Sequence, residues 1–190
     1  MRRRLITMDA ASQPETFETN QRFEDHQGTL KANHKLLRLR RDTTCRLTYK
    51  SKPARTDSEC KVYRELEVEV SDFKTMQSIL NALGYRAVQI YEKRRQVFQW
   101  NGVSLCLDTM PYGAFLEIEG SEKRIKATAR QLDLPWEKRI LDNYLAIFEV
   151  LREHYHLPFH DVTFANFEAH PADFIPLLER FEFKTRDGQR

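Results

Sequence analysis

KLLRLRRDTTCRLTYKSK, residues 35–52, consists of two alternating runs joined by Asp42-Thr43-Thr44. Successive side chains of an extended chain point to opposite faces. Leu37 and Leu39 therefore share one face while Arg38 and Arg40 share the other, and at the end of the second run Lys50 and Lys52 fall on one side. The short polar link between the runs predicts a hairpin. What sets the two runs apart is that, outside the linking Asp42, their charges are all basic. A solvated strand face ordinarily mixes both signs, so these strands pose the question of what they face.

The same period continues on either side of a single helix. KVYRELEVEV (61–70) alternates, with Glu65, Glu67 and Glu69 opposed by Leu66, Val68 and Val70. The period then changes: Phe73, Met76, Ile79, Leu80 and Leu83 recur at helical spacing, with Ser71 or Asp72 as the cap and Gly84 as the stop. Strands resume at RAVQIYEKRRQVFQW (86–100), an Asn-Gly turn, VSLCLDTM (103–110), a Pro-Tyr-Gly turn and AFLEIEG (114–120). Beyond Gly120 the pattern is helical. It runs through EKRIKATARQLDL, a helix start at Pro135 leading into WEKRILDNYLAIFEVLREHYHL, and short helices in FANFEAHPADFIPLLERFEF expected on the outside. Antiparallel strands followed by helices predict an α+β fold or a closed antiparallel β-barrel, with flanking helices and a helical C-terminus. The expected division is a barrel over residues 1–134 and a helical extension packed on it over 135–190.

Composition narrows the function classes. The chain has 190 residues, 31% of them charged, yet a net charge of only +3. That is too little for a generic nucleic-acid binder, so no nucleic-acid partner is expected. There is no apolar run of about 18 residues and no signal-like N-terminus, so no membrane partner is expected and the location reads as cytoplasmic. Cys45, Cys60 and Cys106 lack ligand-like spacing and fit a reducing compartment.

Lys93 with Arg95, and Glu117 with Glu119, form two further one-sign pairs, and Asp108 ends an alternating run. The competing reading is a set of amphipathic strands with their polar faces in water. Basic and acidic sets converging on one interior would instead need a guest. A polyphosphate with divalent cations fits, because Arg and Lys match phosphate oxygens and carboxylates hold hard metals.

In this order and spacing, LRLR, LTYKSK, YRELEVEV, a helix ending LNALGY, YEKRRQVFQW, VSLCLDT and FLEIEG resemble the CYTH family of triphosphate tunnel metalloenzymes. The family includes class IV adenylate cyclases, thiamine triphosphatases and inorganic triphosphatases. The resemblance implies an eight-stranded barrel whose lumen is charged. It implies phosphate binding by Arg38, Arg40, Lys50, Lys93 and Arg95, and Mg²⁺ or Mn²⁺ held by Glu117, Glu119, Asp108, Glu65 and Glu67, with no further catalytic residue. Arg94, of opposite parity, is expected to point outward. The implied activity is metal-dependent hydrolysis of an inorganic or organic triphosphate, such as tripolyphosphate, thiamine triphosphate or ATP. Cyclisation of ATP to cyclic AMP and noncatalytic polyphosphate binding are the alternatives. Association as a homodimer is left open.

The family's opening E-x-E-x-K strand has no counterpart here. Glu15 and Glu18 are spaced by three and do not share a strand face. The expectation is a barrel lacking its first strand and left with an open edge. Either the chain begins downstream of its true start or the tunnel is incomplete. His154, His156 and His160 fit no common zinc spacing, and Trp136 is expected to anchor the extension to the barrel.

Overall fold

The computed structural model describes residues 1–53 and 57–181. The predicted strands form one antiparallel sheet. In chain order the elements are α1 (Arg2–Thr7), β1 (Ala11–Ser12), β2 (Thr16–Glu24), α2 (Thr29–Ala32), β3 (Lys35–Arg41), β4 (Cys45–Ser51), β5 (Arg64–Val70), α3 (Phe73–Ala82) and β6 (Arg86–Trp100). There follow β7 (Val103–Met110), β8 (Gly113–Glu119), α4 (Glu122–Gln131), α5 (Tyr144–His154), α6 (Phe164–Glu168) and α7 (Ile175–Leu178). The strand order is β5-β4-β3-β2-β6-β7-β8, with the two-residue β1 paired to the far half of β6.

Turn chemistry sets the registers. Asn101 and Gly102 both take positive φ, 47° and 73°, the geometry of a primed two-residue hairpin turn, so Trp100 faces Val103 across the link. Asp42 accepts hydrogen bonds from the Thr44 amide, which closes the hairpin that pairs Arg41 with Cys45. Asp72, not Ser71, caps α3 by accepting from the Thr75 amide at 2.7 Å.

The apolar face of the sheet is covered by helices in two patches. Leu80, Phe73 and Met76 of α3 pack on Phe23, Leu37, Leu39 and Leu47. Leu5 of α1 and Leu132 after α4 pack on Phe98, Val103 and Leu105. The polar sides of the same strands are thereby left on one common inner face. Each fully buried Phe or Leu here contributes on the order of 1.5–3 kcal/mol to holding that arrangement.

The sheet has two ends, β5 and β8, and no ladder joins them. Side chains span the seam instead. From the segment before β5, Ser58 donates to Glu122 of α4 at 2.5 Å and Glu59 pairs with Lys126 at 2.6 Å. Glu59 also accepts from the Trp136 indole at 2.8 Å, and the Lys61 ammonium donates to the Asp142 carbonyl at 2.5 Å. The sheet is thus curled until the segment leading into its first edge meets the helix that follows its last edge. The expected barrel is realised as this curled sheet with an open edge.

The C-terminal segment departs from expectation in two ways. Pro135 opens only a 3₁₀ turn, Trp136–Lys138, and α5 starts afresh at Tyr144 with Asn143 accepting from the Ala146 amide as its cap. The helices also do not sit on the outside. Ile147, Phe148, Leu151, Phe167, Phe174 and Leu177 bury Tyr91, Met110 and Tyr112, and draw in Phe115. Tyr91 and Phe115 have the parity of Lys93 and Glu117, so the extension enters the inner face. The reason is local: at that end the inward positions of β6 to β8 turn from charged to aromatic, and only apolar side chains can cover them. Val162 completes the junction by a parallel bridge to Tyr91 along the half of β6 that β7 leaves unpaired. Trp136, at the head of the extension, donates to Glu59 before β5 and faces Lys126 of α4, which ties the start of the extension to the barrel segment.

Candidate active site

Register brings the predicted residues onto the inner face. Arg38 lies opposite Thr48, Lys50 opposite Glu65, Thr48 opposite Glu67, Arg95 opposite Asp108 and Cys106 opposite Glu117. The acidic β5 therefore lies beside the basic β4, and Asp108 of β7 beside Arg95 of β6, so part of the charge is neutralised laterally, although Arg40 faces Arg46 across β3 and β4. This corrects the expectation of separate basic and acidic walls kept apart by a guest. Arg94 does point outward, where its guanidinium stacks on Phe17 and Phe164 at 5.5 and 5.6 Å.

Two charge networks result. In the first, Thr48 donates to Glu67 at 2.7 Å and accepts from Arg38 at 3.2 Å, and Lys50 pairs with Glu65 at 2.9 Å. Arg38 and Arg40 reach Glu67 at 3.8 and 3.7 Å, and Arg38 also donates to the Tyr91 hydroxyl. Burial opposes the charge on Arg38, but Tyr91, Glu18 and Glu65 outweigh it and its pKa is raised.

In the second, Arg95 grips Asp108 with two hydrogen bonds of 2.6 Å, the bidentate geometry that guanidinium favours. Lys93 donates to the same carboxylate at 2.9 Å, and so does the Tyr144 hydroxyl at 2.9 Å. Burial pushes the Asp108 carboxyl upward, yet Arg95 and Lys93 prevail and hold it below its ordinary value. Arg95 also contacts Glu117 and, at 3.8 Å, Glu119. Cys106 is buried between these groups, and burial pushes its thiol up to about 12, so it is protonated at neutral pH.

Between the networks lies Glu18, which the sequence reading set aside because Glu15 does not share its face. Its carboxylate stands 3.6 Å from Arg40 and 3.6 Å from Lys93. Asn20, two residues on and fully buried, lies between Arg40 and Tyr91. Glu18, Asn20 and Arg22 form a polar parity opposite Phe17, Thr19 and Phe23, a pattern present in the sequence but diluted by Thr and Gln on the other face. Tyr144 was missed too, because an aromatic at the head of an amphipathic helix reads as core.

A curled antiparallel sheet with a charged inner face is matched by proteins of known sequence and structure. The model of the CYTH domain matches residues 4–140. The chain belongs to the CYTH family. A structure from Pyrococcus horikoshii OT3 is similar to this CYTH chain at 26% identity and a TM-score of 0.65, covering 75% of this chain and 88% of that one. A Vibrio parahaemolyticus protein provisionally named an adenylate cyclase matches at 20% identity and a TM-score of 0.64, over 76% and 88% of the two chains. A Hippeastrum protein, provisionally named an adenylyl cyclase and described as having a dominant triphosphatase activity, matches at 18% and 0.55, over 77% and 89%. The comparison with curated proteins gives no match. Among the described residues of this CYTH chain no helix is long and apolar enough to cross a membrane.

The residues fit a hard divalent cation by chemistry. Glu65, Glu67, Glu117 and Glu119 are partly exposed carboxylates on the inner face. Among the described residues no three His, Cys, Asp or Glu form a ready-made cage. Mg²⁺ ordinarily takes one or two carboxylates and completes its shell with phosphate oxygens and water, which is compatible with such an arrangement.

Proposed function

We propose that this CYTH protein carries out metal-dependent phosphoryl transfer on a small triphosphate, with hydrolysis as the reaction. The observation that carries this is the state of Arg38 and Arg40. Both are buried; Arg38 Nε has no hydrogen-bond partner, and Arg40 Nε makes no hydrogen bond although Asp42 stands 3.4 Å from it, while Glu67 balances part of their charge. Buried guanidinium nitrogens without acceptors are costly in a purely structural role. They suit phosphate oxygens. The family membership and the named activities of its structural neighbours support the same reading.

In this reading Arg38, Arg40 and Lys50 bind the phosphate chain, and Lys93 and Arg95 neutralise charge that develops as the bridging oxygen departs. Asp108, expected among the metal ligands, is read instead as the group that orients Lys93 and Arg95, because three side chains already donate to it. Glu117, Glu119, Glu65 and Glu67 would hold Mg²⁺ or Mn²⁺. When bound, the cation supplies Lewis-acid charge at the phosphate oxygens.

Tripolyphosphate, thiamine triphosphate and ATP assayed with Mg²⁺ or Mn²⁺, with phosphate, pyrophosphate and cyclic AMP measured separately, test the reading. Release of phosphate supports it. Cyclic AMP with pyrophosphate makes the protein a cyclase, and thermal stabilisation by tripolyphosphate without turnover makes it a noncatalytic binder. No turnover and no stabilisation on any of the three would sink both the enzyme and the binder.

A further inference from the structure

Asn20 is 0% exposed, yet neither its Oδ1 nor its Nδ2 has a hydrogen-bond partner among the described residues. Glu18 Oε2, at 2% exposure, and the Nε atoms of Arg38 and Arg40, each 8% exposed, likewise make no hydrogen bond, although Lys93 stands 3.6 Å from Glu18 Oε2 and Asp42 stands 3.4 Å from Arg40 Nε. These four side chains share the inner face. Asn20 is in register with Arg40 on one side and Tyr91 on the other, and Arg38 reaches across to the Tyr91 hydroxyl at 3.3 Å. A single buried amide with both ends unsatisfied already costs several times what one hydrogen bond contributes. Asn20 and Arg38 thus carry unsatisfied groups on the same buried face, and a leucine at position 20 would relieve the amide's share of that penalty. The arrangement suits a function better than a fold.

We propose that Asn20 is a phosphate-contacting, affinity-determining residue, and that Glu18 is its positioning partner. This rests on the triphosphate reading and deepens it. The chemistry assigns distinct tasks. The Asn20 Nδ2 donates to a non-bridging phosphoryl oxygen without adding charge, while its Oδ1 accepts from a water or a protonated phosphoryl oxygen. Glu18, at 3.6 Å from both Arg40 and Lys93, balances two cations that would otherwise repel each other, and so holds them on either side of Asn20. It has no donor of its own for an anion, so it acts through those two cations.

The test is tripolyphosphate binding by the whole chain, measured by calorimetry with EDTA and again with Mn²⁺, alongside the ligand-free melting temperature. Asn20→Leu preserves volume and removes the unsatisfied amide. It is expected to melt at the same temperature as the wild type or higher, and to bind tripolyphosphate about tenfold or more weakly, the effect of losing one hydrogen bond to a charged group. Asn20→Asp is expected to weaken binding further, by charge repulsion. A merely structural Asn20 would move stability and leave binding alone. Wild-type affinity in both variants overturns the proposal even if turnover is intact. A wild-type chain that neither binds nor hydrolyses any of tripolyphosphate, thiamine triphosphate and ATP overturns the functional reading and this inference together. If it binds without turnover, only the enzymatic reading falls and the two variants still decide the role of Asn20.

Discussion

The Tyr144 hydroxyl donates to Asp108 Oδ2 at 2.9 Å, so a residue outside the sheet fixes the carboxylate that holds Lys93 and Arg95. Tyr144 is itself fixed: its backbone carbonyl accepts from Tyr112 at 2.8 Å and its ring lies under the Lys93 ammonium at 5.5 Å. The C-terminal helices thus belong to the site's support. Tyr144→Phe removes one of the donors to Asp108 and leaves the ring. The expected stability loss is about 1.5 kcal/mol, the lower end for a hydrogen bond to a charged group, read from denaturant midpoints. Burial, with Glu117 and Asp108, raises the Tyr144 pKa, so the hydroxyl remains a donor across any ordinary assay range. On a triphosphate substrate kcat should fall roughly tenfold with KM little changed, because Tyr144 acts through Asp108 on groups that matter most as charge develops. A change confined to KM would place Tyr144 in ground-state binding instead.

Asp108 links the site to acid stability. Its folded pKa lies below the ordinary value of about 3.9, because Arg95 and Lys93 overcome the effect of burial. A depressed carboxyl contributes stability that is fully present above its unfolded pKa and is lost as pH falls through the folded one. The wild type should therefore weaken below the usual carboxylate range, and Asp108→Asn should flatten that part of the profile. At neutral pH the substitution leaves Lys93 and Arg95 without their main counter-charge, at a cost of about 3 kcal/mol. Glu18, Glu117 and Glu119 still partner them, which places the loss at the low end. Urea titrations across the acid range, on both proteins, give the two slopes to compare.

How far the sequence could be read follows from which interactions are local. Period-two alternation located β3, β4, β5, β7 and β8 to within a few residues, because the side opposite their polar face is largely apolar. Arg38, Arg40, Lys50, Lys93, Arg95, Asp108, Glu65, Glu67, Glu117 and Glu119 all have the parity that puts them on one face. Parity carries no information about which strand lies beside which. That is why cross-strand neutralisation, such as Lys50 with Glu65, was read as two opposed walls. Glu18 and Asn20 escaped because β2 interleaves them with Thr19 and Gln21, which blur the alternation. Tyr144 escaped because its partner is 36 residues away and no local pattern announces it.

Glu117 and Glu119, the proposed metal ligands, differ from Asp108 in exposure. Their side chains are 38% and 58% exposed, against 0% for Asp108, so neutralising them disturbs little packing. Glu117→Gln and Glu119→Gln should each shift the melting temperature by no more than a few degrees, in line with surface substitutions of about 0.5 kcal/mol. The Mn²⁺ concentration needed for half-maximal turnover should rise by roughly tenfold or more, since a lost charged ligand is worth at least about 1.4 kcal/mol. An unchanged Mn²⁺ requirement in both variants would remove them from the metal site and shift that role to Glu65 and Glu67.

The seam between β5 and α4 makes the last prediction. Glu59 gathers Lys126 at 2.6 Å, the Trp136 indole at 2.8 Å and Arg139 at 3.6 Å, while Lys126 and Arg139 flank the Trp136 ring. Hydrogen bonds from Lys126 and Trp136 lower the Glu59 pKa, so this clasp is formed at neutral pH and is released as acid titrates the carboxylate below its ordinary range. Among the described residues no ladder joins β5 to β8, so β5 is paired on one side only, with β4, and the seam is held by side-chain contacts of which this clasp is one. Glu59→Gln keeps the shape and removes the charge. Exposed ion pairs contribute little globally, so the overall melt should barely move. Amide exchange in Arg64–Val70 should accelerate while Lys35–Arg41, flanked by strands on both sides, stays protected. Equal protection of β5 in the variant and the wild type would mean that pairing with β4 is sufficient and that the side-chain clasp does not hold the edge.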